Sequence, residues 1–366
     1  MSSPTQSNNR TVEQSNNLYI HFPFCRTKCS YCALYSRTGV SPSDRATYVR
    51  RLADELGARC PTSRAKLRTI YFGGGSPALC DLSPLAPVLR PLCGEETEFT
   101  VELHPLDVTE AKLSELKALG VNRISMGVQS LDDAVLADMG RGYTVAEAER
   151  AFCLVKRHFD NAGIDLIVGY PGENEVEVEG GGRENARGDG WKEIFLALKT
   201  WGLRHCSVYS LQNERGLKGV PDDDWTLDRL RHIAICLREM GLERYEISNY
   251  AVPGCECRHN LAVWRGEDYV GLGDGAYGRV GLERTFSGKV TDTLSAERDL
   301  TERTIFRLRM REGLDATSYA SHPSYASFLA ALERSVARGL LAKEGTTYRL
   351  TERGTEVCDA VLAELV

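Results

Sequence analysis

The chain has 366 residues, of which 42% are hydrophobic, and a formal net charge of −6. A chain of this length and hydrophobicity can bury a sizeable core, so we expect one large domain and a smaller one, and not a disordered chain. The acidic balance argues against a nucleic-acid-binding surface, because phosphate binding depends on clustered Lys and Arg side chains.

The first segment, residues 1–17, contains no apolar run, and no later segment approaches the ~18 uninterrupted apolar residues that a membrane-spanning helix needs. We therefore expect a flexible N-terminal tail, no membrane anchor and a cytoplasmic location. Twelve cysteines in a long chain without a secretory signal favour metal binding or simple burial over disulfides.

Short β-rich runs then alternate with helical stretches along the chain. The runs are Leu18–His21, Thr69–Phe72, Phe99–Leu103, Arg123–Gly127, Ile164–Val168 and Cys206–Leu211. This alternation predicts a parallel sheet. Six strand–helix units fit a partial (βα)6 parallel barrel better than a closed barrel of eight strands.

Two of the connecting helices can be placed from their apolar spacing. The first is predicted over residues 43–58, where Tyr48, Leu52 and Leu56 fall on one face. Thr109 is suited to cap another helix, whose inward face is formed by Leu113, Leu116 and Leu119.

Two later segments depart from the strand–helix alternation. Residues 172–190 are acidic and rich in glycine, which predicts a flexible surface insertion. After about residue 290 the pattern becomes helical, and residues 340–353 are typical of two short strands around a glycine-containing turn, as in a winged helix. The predicted organisation is a tail over 1–17, a barrel with a covering loop over 18–290, and a mainly helical C-terminal domain over 291–366.

Three cysteines follow the first predicted strand directly. Cys25, Cys29 and Cys32 have the spacing C-x3-C-x2-C, which lets one loop bring three thiolates to three irons of a [4Fe–4S] cluster and leaves the fourth iron without a protein ligand. A structural zinc site is the alternative interpretation. A closed zinc site needs four ligands, and no fourth Cys or His stands at the expected spacing.

The cysteine loop and further motifs together resemble the radical S-adenosylmethionine (SAM) superfamily. Within it, the chain is most similar to the oxygen-independent coproporphyrinogen III oxidases and their haem-chaperone relatives, the HemW family. The matching segments are Tyr71–Pro77 (YFGGGSP), Val101–Pro105 (VELHP), Gly127–Ser130 (GVQS), Ile164–Gly172 (IDLIVGYPG), Tyr245–Asn249 (YEISN), His259–Gly266 (HNLAVWRG) and Arg311–Leu314 (REGL).

The resemblance implies a site for SAM at the carboxyl ends of the strands, where parallel α/β folds bind ligands. The glycine loop would hold the methionine end of the cofactor, because glycines let the backbone approach a ligand closely. The polar residues near strand ends would hold its ribose, carboxylate and nearby groups. The residues implied are Tyr19, Tyr31, Gly74, Gly75, Ser76, Glu102, Gln129, Arg141 and Asp165.

A glycine- and aromatic-containing stretch around His259 predicts a loop that covers a ligand. In the haem-chaperone relatives the corresponding motif, H-N-x-x-Y-W, is associated with haem. This chain keeps His259, Asn260 and Trp264 but has Val263 in place of the tyrosine. The resemblance thus makes His259 the candidate axial ligand of haem, whereas an isolated loop histidine is more often structural.

Two departures from the coproporphyrinogen oxidases bear on function. Those enzymes carry a further Cys two places after the third cluster ligand, where this chain has Leu34, and they have a longer arm before the loop than the 24 residues found here. The first hypothesis is therefore a protein that binds haem and delivers it to acceptor apoproteins. Its implied partners are haem or another tetrapyrrole and a low-potential electron donor of the flavodoxin or ferredoxin type.

The alternative hypothesis is a true radical SAM enzyme, because a fold does not determine its chemistry. Such an enzyme would act on a tetrapyrrole as a coproporphyrinogen oxidase-like decarboxylase, or would be a class C radical SAM methyltransferase. A reduced cluster can pass one electron into a bound sulfonium and release a 5′-deoxyadenosyl radical. No residue of the sequence is assigned a catalytic role of its own.

Overall fold

A computed structural model describes residues 15–59, 66–173 and 198–365, and the backbone of residues 175–178 and 182–185. The strands, in chain order, are β1 (Asn17–Phe22), β2 (Thr69–Gly74), β3 (Glu98–Leu103), β4 (Arg123–Gln129), β5 (Asn161–Val168), β6 (Glu175–Val178), β7 (Gly182–Asn185), β8 (His205–Ser210), β9 (Glu243–Arg244), β10 (Asn249–Ala251), β11 (Val270–Leu272), β12 (Tyr277–Val280), β13 (Glu283–Phe286), β14 (Lys289–Thr293), β15 (Leu314–Asp315), β16 (Leu341–Glu344) and β17 (Thr347–Leu350).

Helices cover or connect these strands. They are α1 (Pro42–Arg59), α2 (Ala86–Leu89), α3 (Glu110–Leu119), α4 (Asp133–Asp138), α5 (Val145–His158), α6 (Asp223–Glu239), α7 (Arg258–Trp264), α8 (Ala296–Leu308), α9 (Tyr325–Ala337), α10 (Glu352–Glu356) and α11 (Cys358–Ala363). Short 3-10 turns add Pro77–Leu79, Ser83–Leu85, Arg90–Leu92, Pro105–Asp107 and Ala316–Tyr319. Within the described residues, no helix has the length and apolar character needed to cross a membrane.

One large sheet forms the scaffold of the protein, with the strand order β11-β1-β2-β3-β4-β5-β8-β10-β9. Neighbours from β11 to β8 are parallel, and β10 runs antiparallel to both β8 and β9. The six predicted strands are thus confirmed as six adjacent parallel strands, which follow one another in chain order across the sheet. The fold is the expected α/β partial barrel, whose carboxyl strand ends all meet at one edge.

Side chains alternate along the strands between an apolar outer face and a polar inner face, as the pleat requires. On β1, Leu18, Ile20 and Phe22 are fully buried in the main apolar cluster with Leu52 and Leu56 of α1. The intervening side chains of β1 point into the barrel and are polar or aromatic. The barrel interior is consequently a polar column that runs from the amino to the carboxyl ends of the strands.

The predicted connecting helices are confirmed with their inward faces. Helix α1 buries Tyr48, Leu52 and Leu56 as expected. Thr109 caps α3 by accepting a hydrogen bond of 3.2 Å from the backbone N–H of Lys112. The expected leucines of α3 are all buried: Leu113, Leu116 and Leu119.

The C-terminal region has a separate apolar core built on α8 to α11 and on the sheet β15-β17-β16. Strands β16 and β17 pair antiparallel around the glycine-containing turn that the sequence predicts, and a bidentate Arg231–Glu356 ion pair ties α6 to α10. The boundary predicted after residue 290 falls inside β14, which pairs with β13. The division into domains at that residue therefore stays a prediction.

The predicted flexible segment, residues 172–190, lies partly outside the described residues. Its described part contains an antiparallel hairpin in which Glu175 pairs with Asn185 and Val178 pairs with Gly182. The sequence analysis did not predict this pairing, because the segment lacks an apolar alternation.

Candidate functional site

The three cysteines lie in the loop that follows β1, at the carboxyl edge of the sheet. The loop is closed by a backbone hydrogen bond of 3.0 Å from the Cys25 N–H to the Arg37 carbonyl and by a turn in which the Cys32 N–H bonds the Cys29 carbonyl at 3.2 Å. All three thiols are free and partly accessible. Burial raises the pKa of the Cys25 thiol.

The glycine loop after β2 packs directly against the start of the cysteine loop. Gly75 N–H bonds the Phe22 carbonyl at 2.8 Å, and Ser76 N–H bonds the Phe24 carbonyl at 2.7 Å. A Cβ at Gly75 would overlap the Phe24 carbonyl oxygen and come within 2.9 Å of Cys25 Sγ. Only glycine permits this approach, so the structure brings the predicted cluster and SAM loops together.

Glu102 fixes the middle of the glycine loop from β3. Its Oε2 accepts a hydrogen bond of 3.0 Å from the Gly74 N–H, and its Oε1 accepts one of 2.8 Å from the Tyr71 hydroxyl. Burial raises the pKa of Glu102 to about 7, and the neighbouring Asp165 carboxylate adds to this effect. Tyr71 is a site residue that the sequence analysis missed, although it alternates inward with Gly73 on β2.

Arg141 connects β4 with the cysteine loop. Its Nη1 lies 3.3 Å from Cys29 Sγ and 3.4 Å from the Tyr31 hydroxyl, while Nη2 donates to the Gly127 carbonyl at 2.7 Å. The side chain is buried, and Nε donates to the Tyr143 hydroxyl at 2.9 Å. A buried cation beside a thiolate stabilises its negative charge, and therefore Arg141 suits a ligand of an anionic cluster.

Gln129 ends β4 in a strained conformation. Its φ of 75° is uncommon for a residue other than glycine, and the pairing of β4 with β5 shifts register between Gly127 and Gln129. The Gln129 amide folds back over Gly127, where a Cβ would come within 2.6 Å of its Nε2. The bulge thus turns the Gln129 side chain over Gly127, on the side where the Arg141 guanidinium lies.

Asp165 and Tyr19 complete the set inside the barrel. Ser125 Oγ donates to both Asp165 oxygens, at 3.0 and 3.2 Å, and burial raises the pKa of this carboxyl. Tyr19 OH and His21 Nδ1 are 2.9 Å apart, and His21 Nε2 lies 2.9 Å from the Tyr35 carbonyl. The cofactor residues predicted from strand ends therefore share one end of the barrel, except Tyr19, whose ring lies nearer the amino ends of the strands.

A second carboxylate network was not predicted from the sequence. Asp107, in the turn after β3, accepts from Ser76 Oγ at 2.5 Å and pairs with Arg26 of the cysteine loop at 2.5 Å. The pair joins the cysteine loop to the glycine loop a second time. The only sequence signal for it was the H-P-L-D segment directly after a strand.

The groups at this end of the barrel are chemically compatible with a cubane cluster and with SAM beside it. Three free thiols share one loop. The glycine backbone at Gly75 lies against Cys25, and the buried guanidinium of Arg141 lies against Cys29. Among the described residues, no three His, Cys, Asp or Glu side chains converge on a single metal ion. A cubane instead takes one thiolate on each of three irons.

His259 does not lie with the cysteines. It is 5% exposed and belongs to α7, which closes the amino ends of the strands. The segment predicted as a loop is instead a helix over Arg258–Trp264, and its role in covering a ligand stays a prediction. Both oxygens of the buried Glu98 carboxylate accept from the first backbone N–H groups of α7, from Arg258 at 2.9 Å and from His259 at 3.1 Å, and this capping stabilises a helix.

The chemistry of the His259 imidazole follows from its hydrogen bonds. Thr69 Oγ1 donates its one proton to Asn17 Oδ1 at 2.9 Å, so at its 2.8 Å contact with His259 it accepts from Nδ1–H. Burial, assisted by the positive charge of Arg123, lowers the pKa of His259 to about 3. The ring is therefore neutral, with its lone pair on Nε2.

Comparisons with known proteins agree with this geometry. The model of the radical SAM superfamily matches residues 19–180. The heme chaperone HemW of Mycobacterium tuberculosis is 30% identical, over 96% of this chain and 95% of the relative. HemW of Lactococcus lactis is 34% identical over 73% and 70%, and HemW of Escherichia coli is 30% identical over 94% and 97%.

Among solved structures, the coproporphyrinogen III oxidase HemN of E. coli has a TM-score of 0.78 with 19% identity, covering 98% of this chain and 91% of that one. At this identity the likeness establishes the fold. The radical SAM domain implies a [4Fe–4S] cluster and SAM as cofactors. Because these relatives are 30% identical over almost the whole chain, the chain belongs to the HemW family of the radical SAM superfamily.

Proposed function

We propose that this protein is a haem chaperone, which binds haem and passes it to acceptor apoproteins from a radical SAM scaffold. The full-length similarity to proteins named as heme chaperones supports this function. The structure supports the radical SAM scaffold of this proposal through its intact cofactor end, in which Gly75 and Arg141 both contact the cysteine loop. A protein that had lost its cofactors would not need this close packing.

The cofactor end assigns a task to each side chain. Cys25, Cys29 and Cys32 hold the cluster, and when bound, the cluster and SAM supply one-electron chemistry. Glu102, Gln129 and the glycine loop orient the amino acid end of SAM, because carboxylate and carbonyl oxygens accept from its ammonium group. Tyr31, Ser76, Arg141 and Asp165 complete the cavity.

Haem ligation by His259 stays a prediction. One feature of the structure supports it, and another means that the site would have to open before haem could bind. The Nδ1–H tautomer leaves the Nε2 lone pair for an iron, as axial ligation requires. The ring is almost fully covered, however, by Tyr19, Tyr71 and Tyr269. Ligation at this nitrogen therefore requires that α7 opens from the amino end of the barrel.

Leu34 favours the chaperone over a coproporphyrinogen decarboxylase. It stands two positions after Cys32, where the decarboxylases carry their further Cys, and its side chain is 56% exposed beside the cluster loop. The cluster loop itself is accessible at Lys28, which suits approach of a flavodoxin- or ferredoxin-type donor. We further propose that the protein passes haem to acceptor apoproteins and that it acts in the cytoplasm.

The proposal is tested with the full chain, reconstituted anaerobically with iron and sulfide. Iron, sulfide and visible absorption are compared between the wild type, a Cys25/Cys29/Cys32→Ala triple variant and a Cys153→Ala control, whose thiol is exposed on α5. We expect about four irons per chain in the wild type and the control, and none in the triple variant.

Haem-loaded protein is then mixed with the apo form of a b-type haem protein, and transfer is followed by the change in Soret absorption. Transfer faster than from free haem supports the chaperone function. No haem binding, or haem that stays on the chain in the presence of excess acceptor, contradicts it. A triple variant that kept its iron would reject the ligand assignment separately.

A further inference from the structure

His259 lies at one end of the barrel, and the cysteine loop and the glycine loop lie at the other. Two lines of contacts join the two ends through the interior. The first line, called here the Tyr71 column, runs from His259 through Tyr71 to Glu102 and Gly74. The Tyr71 ring packs on the imidazole with centroids 5.1 Å apart, and its hydroxyl donates to Glu102, which in turn accepts from the Gly74 N–H.

The second line, the Tyr19 column, reaches the cysteine loop. The Tyr19 ring stacks on the imidazole with centroids 6.3 Å apart and an interplanar angle of 29°. Its hydroxyl bonds His21, whose other ring nitrogen bonds the Tyr35 carbonyl three residues beyond Cys32. The ring centroids of Tyr19 and Tyr71 are also 6.1 Å apart, so the His259 imidazole supports two rings that neighbour each other.

The base of both columns is rigid. Thr69 accepts from the imidazole and donates to Asn17, whose amide donates to the Asp268 carbonyl at 3.0 Å. Glu98 holds the backbone N–H of His259 in a buried contact. A side chain fixed at its backbone and at its ring can transmit position to what packs on it, since well-packed interiors deform little.

We propose that His259 is a positioning residue for the cofactor end: its ring seats Tyr71 and Tyr19, whose hydroxyl groups hold the glycine loop through Glu102 and the cysteine loop through His21. The role requires the shape of the ring and not its nitrogen lone pair. It is thus separate from haem ligation, and it rests on the proposed assignment of Glu102 and Gly74 to SAM.

Three variants of the reconstituted full chain separate these roles. His259→Ala removes the ring and leaves both tyrosines unsupported. His259→Phe keeps an aromatic ring of similar size while removing the nitrogens. Tyr71→Phe keeps the packing and removes only the hydroxyl that holds Glu102. Tyr269→Phe is the matched control, because Tyr269 contacts the same imidazole edge-on at 6.2 Å but belongs to neither column.

The readouts are the Kd for SAM and the amide hydrogen exchange of residues 73–76 and 33–36. Losing one hydrogen bond to a charged group predicts a Kd about 10-fold higher for Tyr71→Phe, with faster exchange in residues 73–76 alone. His259→Ala is expected to raise the Kd at least as much and to speed exchange in both segments. His259→Phe keeps the ring but loses the hydrogen bond to Thr69, so it is expected to raise the Kd less than His259→Ala does. Tyr269→Phe is expected to resemble the wild type.

An unchanged Kd and unchanged exchange in folded His259→Ala would overturn the inference, as would a His259→Phe variant as defective as His259→Ala. If His259→Ala does not fold, Tyr71→Phe decides, and exchange in residues 73–76 equal to that of the wild type rejects the Tyr71 column. A wild type that does not bind SAM at all contradicts the proposed cofactor site instead. The exchange readout still tests the columns in that case.

Discussion

Replacing Glu102 by Gln should make the cofactor-free protein more resistant to unfolding at high pH while weakening SAM binding. Glu102 is the carboxylate between Tyr71 and the Gly74 N–H, and it faces Asp165 and the buried cation Arg123. Its raised pKa, about 7 against an ordinary 4.5, means that the folded chain holds a proton that the unfolded chain releases at lower pH. Stability therefore falls as the pH rises from 4.5 through 7.

The size of the effect follows from the two pKa values. A difference between pKa values of about 4.5 and about 7 corresponds to about 3 kcal/mol. Because the Glu102 side chain is partly accessible from the barrel mouth, solvent screening reduces this to about 2 kcal/mol between pH 5 and pH 8. The Gln variant, which cannot ionise, should lack this loss.

Urea unfolding of the apo wild type and Glu102→Gln at pH 5 and pH 8 measures the effect. Glu333→Gln is the control, because Glu333 also accepts from a tyrosine hydroxyl, that of Tyr348 at 2.6 Å, whereas Lys343 and this bond lower its pKa. Glu333 is ionised at both pH values and its stabilising contribution is lost only in stronger acid, so Glu333→Gln should show the same difference in stability between pH 5 and pH 8 as the wild type. Equal pH dependence in wild type and Glu102→Gln would refute the reasoning.

Three further outcomes follow from the site. Gly75→Ala should lower the cluster content and destabilise the fold by about 1–3 kcal/mol through overpacking. Gly57→Ala in α1, where a Cβ meets only Val88 at 3.6 Å, should leave the iron content unchanged and raise the thermal stability slightly, because Ala favours a helix interior more than Gly does. Anaerobic incubation with coproporphyrinogen III should yield no protoporphyrinogen IX above a cluster-free control, because Leu34 replaces the further Cys. His259→Ala should weaken haem binding and shift the Soret band; an unchanged spectrum and affinity would instead direct attention to Cys255 or Cys257.

The sequence was sufficient to predict the strands and their parallel arrangement because the pattern is local. Each strand carries its own apolar run, and parallel strands with helical crossovers leave few alternative arrangements. The Cys25–Cys32 spacing and the Gly74 loop could be predicted for the same reason, since each motif lies within one loop. Their convergence follows from the carboxyl ends of neighbouring strands.

The helix at His259 could not be predicted, because its cap comes from Glu98, about 160 positions earlier in the chain. The glycines around it are also frequent in loops, and the pattern of this segment alone favours a loop. The Tyr71 contact with Glu102 likewise joins two strands, and the bulge that turns Gln129 appears only in the register between β4 and β5. Such contacts depend on tertiary packing that no local pattern encodes.

The most direct test of the central claim is an anaerobic haem titration of the reconstituted chain with SAM present, followed by analysis of the products. A haem chaperone should take up haem in a saturable manner, keep its cluster, deliver the haem to an added apoprotein and convert no tetrapyrrole. Consumption of a tetrapyrrole with matching formation of 5′-deoxyadenosine, and without retained haem, would contradict the claim and identify the chain as a radical enzyme.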